Sequence, residues 1–185
     1  MQAIIICGLP AAGKTTVANI IARKLGLKVL GGGDILMELA IDQGYDAHGL
    51  SWWDSKEGIA FMKQREKDPE FDKEADKKLT EKINAGNVVI TSYPAPWIAK
   101  KGYKVWLAAS LENRAKRMSE RDKSSLSACM KVAQIRDAEN SKHYKAMYNI
   151  DFGNDLSPFN LVIDTNDKSP EQIADMIIDQ IKKEK

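Results

Sequence analysis

The stretch Gly8-Leu9-Pro10-Ala11-Ala12-Gly13-Lys14-Thr15 narrows the possible folds of this chain more than any other segment. It fits the pattern G-x-x-x-x-G-K-[ST], which works only as the link between a strand and a helix. Both neighbours are legible. Ala3 to Cys7, with Ile4, Ile5 and Ile6 in a row, reads as a strand buried on both faces. From Lys14 to Leu25, the residues Val17, Ile20, Ile21 and Leu25 recur at helical spacing, and Gly26 follows as a C-cap. Loop amides can converge on phosphate oxygens only if the backbone comes close and the side chains stay small. The helix then aims its positive end at the same anion. The pattern therefore predicts a nucleoside-triphosphate site in which Gly8, Pro10, Ala11, Ala12, Gly13 and Thr16 form the cradle. Lys14 places a point charge on the β- and γ-phosphates, and Thr15 offers a hydroxyl to Mg2+.

Further strands are expected at Val29-Leu30, Val88 to Thr91, Val105 to Ala108 and Leu161 to Asp164. Asp34 suits the N-cap of a helix running to about Gln43. Residues 44–86 read as polar and helical around the apolar group Trp52, Trp53, Ile59 and Phe61, with a break at Asp68-Pro69. Trp52 and Trp53 either pack this region or stack on a ligand. Leu111 to Arg121 reads as a basic helix, Asp122 to Leu126 as a mobile connection, and Ser127 to Tyr148 as a long helix. Ser169-Pro170 opens the last helix. Strands alternating with helices predict an α/β fold with a parallel sheet covered on both faces.

Length and charge set the outer limits. The 185 residues suit one domain at ~150 residues per domain. Lys plus Arg number 28 and Asp plus Glu 26, so the net charge is +2, no basis for a nucleic-acid or membrane partner. No apolar run approaches the ~20 residues of a membrane span. Cys7 and Cys129 carry no metal or disulfide spacing, and Cys129 is expected to pack as a small apolar residue. A cytoplasmic location and a monomer or homodimer are the matching expectations.

At this point the sequence resembles the nucleoside-monophosphate kinase group, most of all archaeal-type cytidylate kinases. The resemblance covers nearly the whole chain. It is carried by Gly8 to Ala18, by Gly33-Asp34-Ile35 with Glu38-Leu39-Ala40, and by Gly86 to Ile90. It continues through Trp106-Leu107, Leu111 to Ala115, Tyr144, Tyr148, Ile150-Asp151, Asp155 to Ser157 and Leu161 to Thr165. It implies a three-layer P-loop kinase with a five-stranded parallel core, a helical acceptor subdomain near 35–86 and a basic lid near 114–127. It also implies ATP, Mg2+ and transfer of the γ-phosphoryl group to a small phosphorylated acceptor.

Arg114, Arg117 and Arg121 recur at i, i+3 and i+7 and so share one helical face; Arg136 lies on the next helix. Phosphoryl transfer needs positive charge on the equatorial oxygens, and arginine supplies it as a fork. In the resembling family these positions contact ATP and the transferred group. Arg117, Arg121 and Arg136 are thus candidate catalytic residues beside Lys14, and Arg114 is expected toward the adenine side or solvent. Asp34 combines an N-cap with a carboxylate near the metal and the acceptor, and is the candidate general base if the acceptor is an alcohol.

The chain departs from the family on the acceptor side. It has Met37 where the family carries arginine, and Thr91-Ser92-Tyr93 where the family carries Glu-Gly-Arg. It has Arg136, Asn140 and His143 where the family carries arginine, an acid and arginine. A charge-assisted bond to phosphate is worth ~1.5–3 kcal/mol against ~1 for a neutral one, so these changes weigh on the acceptor. Asp34, Met37, Tyr93, Asn140 and His143 are the candidate acceptor contacts. Two acceptors fit this pattern. One is a nucleoside monophosphate held by other basic residues such as Lys56, Lys63 or Arg65. The other is a phosphorylated alcohol of the mevalonate-phosphate type, since kinases of this fold also act on shikimate and gluconate. A silent nucleotide binder is a third alternative. Hydrolysing switches and motors fit less well, because no acid stands at Thr91-Ser92 after the third strand.

Overall fold

The computed structural model describes residues 1–47, 52, 55–67 and 70–184, without the side chains of 62 and 64–67. His48, Trp53, the Asp68-Pro69 break and the Arg65 side chain lie outside the described residues. Strands β1 (Ile4–Cys7), β2 (Lys28–Gly31), β3 (Val88–Thr91), β4 (Tyr103–Ala108) and β5 (Leu161–Asp164) form one sheet in the order β2-β3-β1-β4-β5. Every pairing is parallel. The helices are α1 (Lys14–Leu25), α2 (Gly32–Asp42), α3 (Lys56–Lys67), α4 (Glu70–Ala85), α5 (Ala95–Ile98), α6 (Leu111–Asp122), α7 (Leu126–Tyr148) and α8 (Pro170–Lys183).

The three layers follow from strand alternation, which sends successive side chains to opposite faces. Ile4 and Ile6 of β1 meet Val17 and Ile21 of α1 and Ile173, Ile177 and Ile181 of α8. Ile5, between them, faces the other way and joins Ile35 and Leu39 of α2 and Leu79 and Ile83 of α4. A third cluster packs Trp52, Phe61 and Phe71 with Ala40 and Ala47. Trp52 thus packs the helical region, the first of its two expected roles. Cys129 packs with Ala115, Met118 and Ala133 between α6 and α7, as expected of a small apolar residue.

Several boundaries differ for local reasons. Asp34 is not the N-cap of α2; Gly31 is, and Asp34 sits in the first turn, where its carboxylate accepts the Gly31 N–H at 2.7 Å. That contact draws the helix start back to Gly32. Lys123 adopts a left-handed C-cap after α6, and Ser125 caps α7, so the connection between them is a short capped turn. The helical turn α5 is visible only in the structure; Ser92 Oγ accepts the Ala95 N–H at its start. Among the described residues, no helix is long and apolar enough to cross a membrane.

The strand order places β1 between β3 and β4, and the chain leaves β1 toward β2 before it returns toward β4 and β5. A crevice opens at such a reversal beyond the carboxyl ends of the strands. The loop 8–13 occupies that place.

Candidate active site

The phosphate loop is shaped by close approach. Gly8 has φ +150, and a Cβ there would lie 2.6 Å from the Leu107 carbonyl oxygen, so only glycine lets the loop leave β1 against β4. Ala11 and Gly13 both have positive φ, at 63° and 95°, which turns successive amides inward ahead of α1. Lys14 folds back over this loop. Its Nζ donates to the carbonyls of Gly8 at 2.8 Å and Leu9 at 2.9 Å, and it lies 4.7 Å from the centroid of the Tyr93 ring. Burial pulls the Lys14 pKa down to about 8. Burial likewise pushes the neighbouring Cys7 thiol up to about 12, which leaves it a neutral core group.

Two cavities meet at this lysine. The first, about 580 Å³, runs along Ala11 to Val17 and is walled by Arg117, Arg121, Arg136, Lys168 and Pro170. Its wall carries three arginines and a lysine beside the loop, so it is a basic groove. The second, about 400 Å³, lies toward α4 and α7 and includes Asp72, Asp76, Thr91, Tyr93, Asn140 and His143. Both fall in the ~300–1,000 Å³ range of small-molecule sites. Lys14, Thr15 and Tyr93 line both cavities.

The expected site residues separate into groups on this map. Ala11, Ala12, Gly13, Lys14, Thr15, Thr16, Arg117, Arg121 and Arg136 gather around the first cavity, while Gly8 and Pro10 of the loop lie outside its lining. Tyr93, Asn140 and His143 gather around the second. Arg117 is anchored: it donates to Ala12 O at 3.2 Å and to Thr165 O at 2.7 Å, tying α6 to the loop and to the segment after β5. Arg121 is exposed and forks onto Asp122.

Arg114, expected toward the adenine side or solvent, lines neither cavity and is shut off from solvent. It is 3% exposed, forks onto Asp137 of α7 at 2.9 and 2.7 Å and donates to Pro10 O at 3.2 Å. It braces the loop from behind. Met37 packs beside the Trp52 and Phe61 cluster and is not among the residues of the second cavity. Asp34 is spent in part on the Gly31 N–H, at the edge of β2 near Thr91. Lys56 and Lys63 are exposed and do not line the second cavity.

The sequence does not single out Asp72, Asp76 and Met147 of the second cavity or Lys168 and Ile173 of the first, and it marks Tyr148 only as part of the family resemblance. The Tyr148 hydroxyl donates to Asp76, and His143 Nε2 lies 3.5 Å from Asp72 Oδ2, so side chains of α7 reach α4 along the cavity wall. The spacing of Asp72 and Asp76 at i, i+4 was the available signal, since it puts both on one helical face.

Thr15 is the position the phosphate-loop pattern offers to a metal. Among the described residues no group of three or more His, Cys, Asp or Glu could hold a metal by itself. That suits Mg2+, which takes one or two protein oxygens and completes its shell with phosphate and water. The exposed Thr15 hydroxyl at the meeting of the cavities fits this.

Comparison with known proteins agrees with the geometry. The model of the cytidylate kinase-like family matches residues 3–167. A cytidylate kinase of Pyrobaculum islandicum is 40% identical over 168 residues, covering 90% of this chain and 85% of the relative. That of Methanocaldococcus jannaschii is 36% identical and covers 97% and 99%. Among solved structures, shikimate kinase from Acinetobacter baumannii superposes with a TM-score of 0.59 at 21% identity, covering 100% of this chain and 95% of that one. A gluconokinase from Sinorhizobium meliloti gives 0.55 at 13%, covering 98% and 92%; both share the fold. With the loop, the parallel sheet and the two joined cavities in place, the chain belongs to the cytidylate kinase-like family of P-loop kinases.

Proposed function

We propose that this kinase transfers the γ-phosphoryl group of ATP to a small phosphorylated acceptor, with CMP as the first candidate. The observation that carries the reading is the shared border of the two cavities at Lys14 and Thr15. A donor in the basic groove would point its terminal phosphate across that border, into contact with whatever fills the second cavity. The loop amides and Lys14 hold the β- and γ-phosphates. Arg136 and Arg121 face the same groove and neutralise charge gathering on the transferred group. Arg117 holds the loop to the segment after β5 and presents its remaining edge to the donor. Mg2+, bound by Thr15 and the phosphates, would supply charge neutralisation between them. The acceptor rests between α4 and α7, with Asn140, His143 and Tyr93 within its cavity. The Tyr148 hydroxyl donates to Asp76 and ties α7 to α4 beside this cavity; closure of the site around both substrates would exclude water and limit hydrolysis of ATP.

Support for CMP comes from the cytidylate kinases to which the chain is 36–40% identical. A second reading, a phosphorylated alcohol, is favoured by one feature: among the described residues, no arginine lines the second cavity. Asp34, next to Gly33 of the second cavity though not in its lining, would then be the candidate general base. An ADP-release assay decides between them. Faster release with CMP than with UMP, AMP or phosphorylated alcohols supports the first reading. A rate only on a phosphorylated alcohol replaces it with the second, and no acceptor-dependent release contradicts both.

A further inference from the structure

The reading above, on which this inference rests, gives Tyr93 a place in the acceptor cavity but no task on the donor side. It lies two residues beyond the end of β3 and belongs to the lining of both cavities. Its ring faces the Lys14 ammonium at 4.7 Å. An ammonium has three N–H donors. Two of those on Lys14 go to the Gly8 and Leu9 carbonyls, which leaves one for the side on which the ring lies. The ring is itself fixed from behind. It meets Phe152 edge-on at 5.4 Å and Tyr144 of α7 at 5.9 Å, while the Cys7 thiol donates to the Tyr93 carbonyl at 3.4 Å. Arg136, also on α7, lies beside the Tyr93 hydroxyl.

We propose that Tyr93 is a positioning residue for Lys14: its ring holds the ammonium over the phosphate loop and transmits the placement of α7, through Tyr144, to the donor site. The claim separates the two ends of the side chain. The π-face does the positioning, and the hydroxyl is dispensable for donor binding. It also joins the two cavities physically, because the group that steers the donor's lysine is a wall of the acceptor cavity.

The test is ATP affinity measured by calorimetry, with no acceptor present, so that the result does not depend on what the acceptor is. The variants are Tyr93→Phe, which keeps the ring, Tyr93→Leu, which removes it, and a pentafluorinated phenylalanine at position 93, which keeps the shape and reverses the charge of the ring face. Each is repeated in a Lys14→Met background. Tyr93→Phe is expected within about twofold of the wild type. The leucine and fluorinated variants are expected to weaken ATP by about tenfold, the scale of a partly desolvated cation–π contact. In the Lys14→Met background their effects should shrink to about twofold or less, because the coupling partner is gone. An unchanged affinity for the fluorinated variant, or an equal loss with and without Lys14, overturns the proposal. The fluorinated ring keeps the test decisive if Tyr93→Leu does not fold. A wild type that binds no ATP overturns the donor site and the proposal together.

Discussion

Lys14 is half-buried and lines both cavities, and its chemistry follows from that combination. Its pKa stands at about 8 against 10.5 for a free lysine, chiefly because burial disfavours the charged form. The unfolded chain therefore binds more protons than the folded one between those values. Through this group, stability rises as pH rises from about 8 toward 10.5. Donor binding runs the other way, since only the charged lysine attracts phosphate. ATP affinity should weaken as pH rises through about 8, and the trend should vanish in Lys14→Met. Calorimetry at a series of pH values checks this. Lys14→Ala should also lower the transfer rate by ~10²-fold or more, as losses of a charge-stabilising donor do, while leaving the far-ultraviolet circular dichroism unchanged. At this scale the phosphate loop was fully legible, because its glycines and lysine are spaced by the ligand itself. Arg114 was not. Helical spacing placed it on one face with Arg117 and Arg121 but carried no information on Asp137, 23 residues further on, which claims it.

Among the elements, the α6–α7 hairpin bears most directly on the site. Arg114 joins its two helices and grips Pro10 of the loop, so it acts on stability. Removing one partner of a buried pair strands the other, and Arg114→Ala should cost ~3 kcal/mol or more. Arg136→Ala, at the exposed groove wall, should leave stability within about 0.5 kcal/mol and fall chiefly in transfer rate. Urea unfolding beside turnover measurements separates the two. A simpler check concerns α8. Ser169 accepts the Gln172 N–H at 3.2 Å and Gln172 returns the contact at 2.8 Å, so Ser169→Ala should cost ~1 kcal/mol. Most elements could be anticipated from periodicity. The exceptions share a cause: α5 spans only Ala95–Ile98, too short for any period, and α2 begins early because a side-chain contact set its start.

In the whole molecule, five parallel strands and their order bring to one end residues that lie far apart in the chain. Lys14, Tyr93, Arg136 and His143 meet only because β1 sits between β3 and β4 and α7 folds back across α4. The alternation of strands and helices foretold the layers. It could not foretell the second cavity: the i, i+4 spacing of Asp72 and Asp76 puts both on one face of α4, but does not distinguish that face from a solvated charged one. For the same reason Met37 read as an acceptor contact, although it packs beside Trp52. The central claim is that the two cavities exchange a phosphoryl group across Lys14. Phosphorus NMR of the protein with ATP, Mg2+ and CMP tests it most directly. The account predicts a growing nucleoside-diphosphate signal from CMP matched by ADP, with little free phosphate, and neither product in Lys14→Ala. Conversion of ATP to ADP and inorganic phosphate alone, unchanged by CMP or by any phosphorylated alcohol, would contradict it.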